Sequence, residues 1–383
     1  MDKIYYISSV IFLLYLIMKW YSKQHFWSRQ PVFHRFNIKL WIYPCGLIQH
    51  SLLSPSSSDY LTDVKTYTIE TIPSLYLEKY IQLIRKHYII DEELSYEAPR
   101  DNIYEYLNTK GYISVYQSEK AYQYKKGWHL YPSILSGIAS RPITFFENEK
   151  EVSYGYYTDF LCTHEKYRKK NVTPKVIYTH VCDIMNTQKN PCFYLFKREG
   201  EYTPFVPILS SFSYIYNIKY VFKEKYPLQC ISVTKNNLFY LYEKIKKLKK
   251  EFSLCVYTSF THLQHLLEVK NLFITMVSEN NHIRAFYVFT NNYMTHRKEP
   301  IIELSCSYRE PNFSEELFHQ GLLSSLVNIS RENLVYLVID NLSHNYSLID
   351  NMKYKSMEET PMSYYIYNYA SYPKQPKECF ILV

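Results

Sequence analysis

Glycine is almost missing from this chain: seven in 383 residues, where an average composition holds about 7%. They stand at positions 46, 111, 127, 137, 155, 200 and 321, too far apart for any glycine-rich loop. GxGxxG, the P-loop and GxSxG are therefore excluded, and with them dinucleotide oxidoreductases, P-loop NTPases and the usual serine hydrolases. Regular cysteine spacing is lacking too. Eight scattered cysteines give no disulfide framework and fit a reducing compartment. No great excess of one charge exists, since 44 basic against 36 acidic residues leave +8. Basic and aromatic residues interleave almost everywhere, so they mark no nucleic-acid surface, and none is expected as a partner. In abundance instead is tyrosine, with 43 residues, the bias of an AT-rich genome. With 47% hydrophobic residues a sizeable core can form.

Residues Ile4 to Met18 carry no charge. The run is shorter than the ~20 residues of a full span, but Tyr and Trp20 beside it suit the membrane interface. No small-residue cleavage site follows, which argues against a signal peptide. The segment reads as a retained membrane anchor, with a buried helix as the alternative. Lys19, Lys23, Arg29 and Arg35 crowd its C-terminal flank, so the positive-inside rule leaves the rest of the chain facing the cytosol.

Past the serine-rich break at 52–59, apolar residues at helical spacing predict a helix from Pro73 to His87. An acidic turn (Asp91, Glu92, Glu93) and an amphipathic segment at 101–108 come next. Strand-like runs follow at 112–116, 133–140, 142–146 and 152–163. Thr173-Pro174 then opens a helix, threonine as cap and proline at the first turn, and 191–196 reads as a strand. The second half repeats the theme: helix 235–252, strands 270–278, 283–290 and 301–308, helix 314–328 and strand 334–340. Two successive α+β halves are expected, 23–205 and 206–383, preceded by the hydrophobic segment 1–22.

The stretch Thr158 to Ile177 (TDFLCTHEKYRKKNVTPKVI) reads as strand, basic loop, helix start. A helix N-terminus offers unpaired N–H groups and a positive dipole end, a natural seat for a pyrophosphate. Arg168, Lys169 and Lys170 add cations. Arg168-x-x-Asn171-x-Thr173 looks like a glycine-less version of the R/Q-x-x-G-x-G/A loop by which acetyltransferases hold CoA, unless it is simply a basic turn. A rival grouping is zinc on Cys162-x-His164 with His180-x-Cys182. No finger-like context surrounds these residues, and no metal is expected.

Phe160-Leu161-Cys162 with His164, Arg168, Lys170, Pro174 and Ile177 resembles the FLCVH-x-x-x-R-x-K-x-x-x-P-x-x-I segment of the glycylpeptide N-tetradecanoyltransferase (N-myristoyltransferase) family. His25-Phe26-Trp27-Ser28-Arg29-Gln30-Pro31-Val32 is similar to its FW-x-x-QPV stretch, and His87 to Glu93 to its acidic loop. Leu135 to Ser140 and Tyr364 to Tyr369 complete five matches in the family's order. The resemblance implies two acetyltransferase-like (GNAT-type) halves related by a pseudo-twofold, in a monomer. It implies an acyltransferase moving a tetradecanoyl group from myristoyl-CoA to the N-terminal glycine amine of proteins. His25, Phe26, Trp27, Phe160, Leu161, Cys162, Thr163, Arg168, Lys169, Lys170, Asn171, Val172 and Thr173 would contact CoA. The backbone N–H groups of Phe160 and Leu161 would form an oxyanion hole, with the Val383 main-chain carboxylate as general base. Asp91, Glu92 and Glu93 would attract basic residues of the substrate, unless they form a solvated turn. An AT-rich large DNA virus is a source that the tyrosine bias would fit.

Departures from the pattern concentrate on the peptide side. Asp159 stands where the family has Asn, and Ser213-Tyr214-Ile215-Tyr216 where it has Y-W-H-R. Lys355 to Glu359 replace a G-x-G-D-G loop, leaving Glu358 or Glu359 to supply its acid, and Cys379 replaces a glycine. A catalytically impaired acyl-CoA- and peptide-binding protein at a membrane is the alternative these departures raise.

Overall fold

The periodic stretch after the serine-rich break forms the helix that its spacing predicts. This helix, α1 (Ser74–His87), buries Leu77, Tyr80, Ile81 and Ile84 on one face. The computed structural model describes residues 5, 10, 12–13, 15–16, 26–89, 93–107, 109–124, 127–200, 203–280, 282–329 and 334–383, with backbone alone for 119–124 and 127–132. His25, Asp91 and Glu92 lie outside the described residues. So does most of the apolar run near the N-terminus. Its described members Tyr5, Val10, Phe12, Leu13, Tyr15 and Leu16 are helical and exposed. Among the described residues no helix is long and apolar enough to cross a membrane.

The first half contains β1 (Val64–Tyr67), α1, β2 (Leu94–Tyr96), α2 (Arg100–Leu107), β3 (Tyr112–Tyr124), β4 (Gly127–Pro142), β5 (Thr144–Glu147), β6 (Gly155–Thr163), α3 (Val172–Gln188) and β7 (Phe193–Glu199). In the second half, β8 (Leu209–Asn217), α4 (Leu238–Lys247), β9 (Leu254–Tyr257), α5 (Phe260–Glu268), β10 (Leu272–Glu279) and β11 (His282–Thr290) come first. Then follow β12 (Met294–His296), β13 (Glu299–Arg309), α6 (Glu315–Ile329), β14 (Tyr336–Asp340), β15 (Glu358–Tyr367) and β16 (Cys379–Leu382).

A fourteen-stranded sheet among the described residues carries the expected α+β repeat. From one edge it runs β1-β3-β4-β6-β7; from the other, past the short strand Ile231–Ser232, it runs β10-β11-β13-β14. β6 lies parallel to β7 with α3 between them in sequence, and β13 parallel to β14 with α6 between them. The strand after each parallel pair crosses to the other half: β8 pairs with β14, and β15 with β7. β8 and β15 pair with each other in the middle. This exchange ties the halves together by main-chain hydrogen bonds. β6 keeps register with β7 only over Gly155–Tyr157. Beyond that the two strands part, and the gap they leave is central to the site. A second small sheet sets β16 parallel to β9, and β9 antiparallel to β5.

Three local features differ from the sequence reading. α3 starts at Val172 with Asn171 as cap in the left-handed region, at φ +58°. Thr173 caps nothing; its hydroxyl bonds that of Thr163 at 2.8 Å. Strand β8 and the β9–α5 segment were not anticipated. The apolar pattern of β8 is obscured because Ser211 and Ser213 fill buried positions while Phe212 between them is exposed.

Candidate active site

The site begins with an irregularity in β6. Cys162 pairs with Gly137 and Asp159 with Ala139, so Phe160 and Leu161 have no place in the ladder. Phe160 adopts φ +51°, a strained conformation for a bulky residue, and such bulges re-aim groups beside active sites. What holds it is Tyr80 from α1, whose hydroxyl donates to the Phe160 carbonyl oxygen at 2.8 Å. Gly137 makes room for that tyrosine: a Cβ there would lie 2.4 Å from the Tyr80 ring.

Two cavities meet at the bulge. The smaller, about 320 Å³, lies where β6 and β7 part and is walled by Trp27, Ile138, Leu161, Ile177, Val181 and Phe196. This size is within the ~300–1,000 Å³ of small-molecule sites, and its lining is mostly apolar. Trp27 stacks on Phe196 and leans on Phe205 at 4.8 Å. His180 also faces this cavity. Its ring bonds the Ser114 and Ser140 hydroxyls at 2.6 and 2.7 Å. Burial pushes it down to about 3, so it stands neutral.

At the entrance to the β6–β7 gap lies the basic loop before α3. Lys169 and Asn171 are both left-handed, at φ +59° and +58°. Asparagine tolerates that region better than most residues, which is how the loop does without glycine. Lys169 and Lys170 are exposed beside the α3 N-terminus. Arg168 is otherwise engaged: Nε donates to the Thr163 carbonyl at 2.9 Å and Nη2 to that of His87 at 2.5 Å. It fastens the loop to α1. Cys162 is buried, with its thiol aimed at the Leu83 carbonyl, and burial pushes it up to about 12. Such a thiol is a poor nucleophile.

The larger cavity, about 540 Å³, shares Tyr88, Asp159, Phe160, Lys197 and Arg198 with the smaller one. Leu382 and Val383 contribute its wall. β16 delivers them: Leu382 pairs with Tyr257, and its carbonyl accepts from the Thr258 N–H at 3.1 Å. Asp159 sits at the junction. One carboxylate oxygen accepts from the Tyr88 hydroxyl and from the Phe160 N–H, each at 2.7 Å; the other accepts from the Tyr106 hydroxyl at 3.1 Å.

A charge cluster that sequence reasoning missed lies beside these groups. Lys197 Nζ meets Asp340 Oδ2 at 2.9 Å, Glu199 Oε1 at 3.1 Å and Glu303 Oε1 at 3.2 Å. Burial alone would lower Lys197, but Asp340 and Glu303 outweigh it and hold the ammonium charged. Burial raises Glu303 to about 8 against the pull of Lys197. Single charges inside the apolar strands IIELS and YLVID are the signal that marked Glu303 and Asp340.

Phe26, Trp27, Phe160, Leu161, Thr163, Val172 and Thr173 therefore surround one β6–β7–α3 region, with Cys162 in the core behind it. Val383 lies across the junction from the bulge. Glu93 and Glu358 come together with His296, while Glu359 pairs with Tyr214 on the neighbouring strand. The Cys162, His164, His180 and Cys182 grouping is not assembled: His180 is held by serines, and the Cys182 thiol points at the Leu53 carbonyl.

Two crossed β–helix–β repeats, each with a parallel strand pair, make up a fold that the chain shares with N-myristoyltransferase. Saccharomyces cerevisiae N-myristoyltransferase with bound myristoyl-CoA superimposes with TM-score 0.66 at 14% identity, over 92% of this chain and 94% of the other. The same enzyme with myristoyl-CoA and inhibitors gives TM-score 0.66 at 15% identity, over 93% of each chain. No family profile matches the sequence, and no curated protein sequence matches it. The likeness is one of fold, and it agrees with the resemblance carried by the five sequence stretches.

Proposed function

We propose that this chain is an acyl-CoA N-acyltransferase that moves a tetradecanoyl group from myristoyl-CoA to the N-terminal glycine amine of a protein. The observation that carries the reading is the meeting of two cavities at the Phe160–Leu161 bulge, with Val383 on the opposite wall. The apolar cavity suits the acyl chain. Lys169, Lys170 and the α3 N-terminus suit the CoA phosphates. The larger cavity suits the peptide.

In this mechanism the glycine nitrogen attacks the thioester carbon, an amide bond forms, and CoA leaves as the thiol. The Val383 carboxylate takes the proton that the amine must lose. The main-chain N–H of Leu161 would face the oxygen that gains charge, a contribution of about 3–4 kcal/mol per donor; the Phe160 N–H, expected beside it, is held by the Asp159 carboxylate and would join only on release from it. The thioester is already activated, so no covalent enzyme intermediate is required, in keeping with the inert Cys162 thiol. The exposed apolar side chains Phe12, Leu13 and Tyr15 support attachment of the N-terminal segment to a membrane, with the catalytic domain in the cytosol. Release from the membrane pellet by carbonate would reject a spanning anchor.

A second reading has one observation in its favour. Asp159 occupies the Phe160 N–H with a carboxylate oxygen, which supports a protein that binds acyl-CoA and peptide without joining them. Incubation of the full chain with labelled myristoyl-CoA and Gly-starting peptides separates the two. Labelled peptide is the outcome expected of the enzyme; bound acyl-CoA with no labelled peptide would establish the second reading.

A further inference from the structure

Beside the larger cavity, three side chains from distant parts of the sequence converge. We propose that Glu93, His296 and Glu358 bind a divalent cation, zinc by the chemistry of the donors. One ligand atom from each lies within 4.8 Å of the other two, and His296 Nε2 is 3.8 Å from Glu93 Oε2.

Histidine 296 is the informative member. It is 1% exposed, and among the described residues neither ring nitrogen has a hydrogen-bond partner. Buried polar groups are nearly always satisfied, so an imidazole held in this way beside two carboxylates points to a ligand that they share. The ring is fixed by packing: it stands edge-on to Tyr336 at 4.9 Å. Its strand is fixed as well, since β12 pairs with β2, setting His296 opposite Leu94 and Met294 opposite Tyr96. Glu358, at the start of β15, pairs with Ile215 of β8. The histidine is thus rigid, while Glu358 is exposed and Glu93, also exposed, is held by the Arg297 fork.

Zinc bonds of about 2.1 Å in a tetrahedron put donor atoms about 3.4 Å apart. Rotation of the Glu358 side chain and a small shift of Glu93 together with Arg297 would bring the donors to that separation, and water would complete the shell. Imidazole selects zinc and its neighbours over magnesium and calcium, which prefer all-oxygen sites. Arg297 grips Glu93 through Nε–Oε2 at 3.1 Å and Nη2–Oε1 at 3.1 Å. A carboxylate offers about four lone-pair positions, so that fork and a metal bond are compatible, and the fork orients the acid. Tyr96 and Met294, the next pair along the β2–β12 ladder, line the larger cavity. A bound ion would therefore staple the segment after α1 to β15 at the cavity wall. This inference does not depend on acyl transfer.

The full chain, stripped with EDTA and dialysed against zinc, should hold one zinc per chain that the Glu93→Gln/Glu358→Gln double variant does not hold. Each single variant should weaken zinc binding by about tenfold or more, and zinc should raise the melting temperature of the native chain but not of the double variant. Those two positions are exposed, so equal melting temperatures in EDTA establish that both proteins fold. Zinc content and affinity in the double variant equal to those of the native chain, or no zinc bound by either, would overturn the site.

Discussion

The Tyr80 hydroxyl donates to the Phe160 carbonyl oxygen at 2.8 Å, and this bond sets the direction of the peptide groups on which the candidate active site is built. A residue on α1 thus controls a bulge 80 positions later, through the space left at Gly137. Glycine is scarce in the chain, yet this one sits where a side chain could not.

Gly137→Ala places a methyl 2.4 Å from the Tyr80 ring. The ring must move, and overpacking of a filled core costs about 1–3 kcal/mol. Tyr80→Phe keeps the ring and removes the bond, leaving a buried carbonyl without its donor at a cost of about 1–3 kcal/mol. Urea unfolding should show both losses. Acyl transfer by Tyr80→Phe should fall further than acyl-CoA affinity, because the bulge loses its support while the apolar cavity stays.

Asp159 puts a negative charge where the reaction creates another. Asp159→Asn keeps one oxygen as acceptor for Tyr88, turns an N–H donor toward the Tyr106 oxygen, and removes the repulsion. The rate of acyl transfer in a single turnover should rise by about tenfold or more. A fall would mean that the carboxylate itself assists, by binding the incoming amine.

The Lys197 cluster makes an asymmetric prediction. Lys197→Met leaves Asp340 and Glu303 buried without their cation, and breaking such a group costs about 3–5 kcal/mol. Glu303→Gln should be tolerated, because burial already raises Glu303 to about 8. The folded value lies above the unfolded one, so the stability linked to neutral Glu303 is full below the unfolded value and lost as pH rises through about 8. Urea midpoints of native chain and variant should agree in mild acid and separate in favour of the variant in alkali.

Acid should act through histidine. Burial lowers His180 and His262 to about 3, and His344 to about 4, the latter two with help from nearby arginines. A histidine with a depressed folded value contributes stability that is present above its unfolded value of about 6.5 and lost as pH falls. At pH 5 each of the three has lost about 2 kcal/mol. The melting temperature should drop steeply between neutrality and pH 5, and His180→Gln should flatten that slope.

Much of this architecture can be read in the sequence where pattern and chemistry coincide. The α1 stripe and the run Phe160-Leu161-Cys162 followed by Arg168 carried their positions and their likeness to a family in local spacing. β8 did not, because Ser211 and Ser213 at buried positions and Phe212 at an exposed one blur its alternation. The Asn171 cap was hidden because the signal sought was threonine before proline, and the left-handed turn preceding them overrode it. Lys197 with Glu303 and Asp340, and Glu93 with His296 and Glu358, are each assembled by the crossing of strands between halves, which no local spacing encodes. Asp159 was legible as a departure, but its grip on the Phe160 N–H required the bulge.

The most direct test of the central claim compares the full chain with one extended by a few polar residues beyond Val383, in transfer from labelled myristoyl-CoA to a Gly-starting peptide. The extension removes a carboxylate from the cavity wall and leaves the β6–β7 gap intact. Unchanged acyl-CoA binding with transfer lost is the expected result; equal turnover by the two chains would contradict the mechanism.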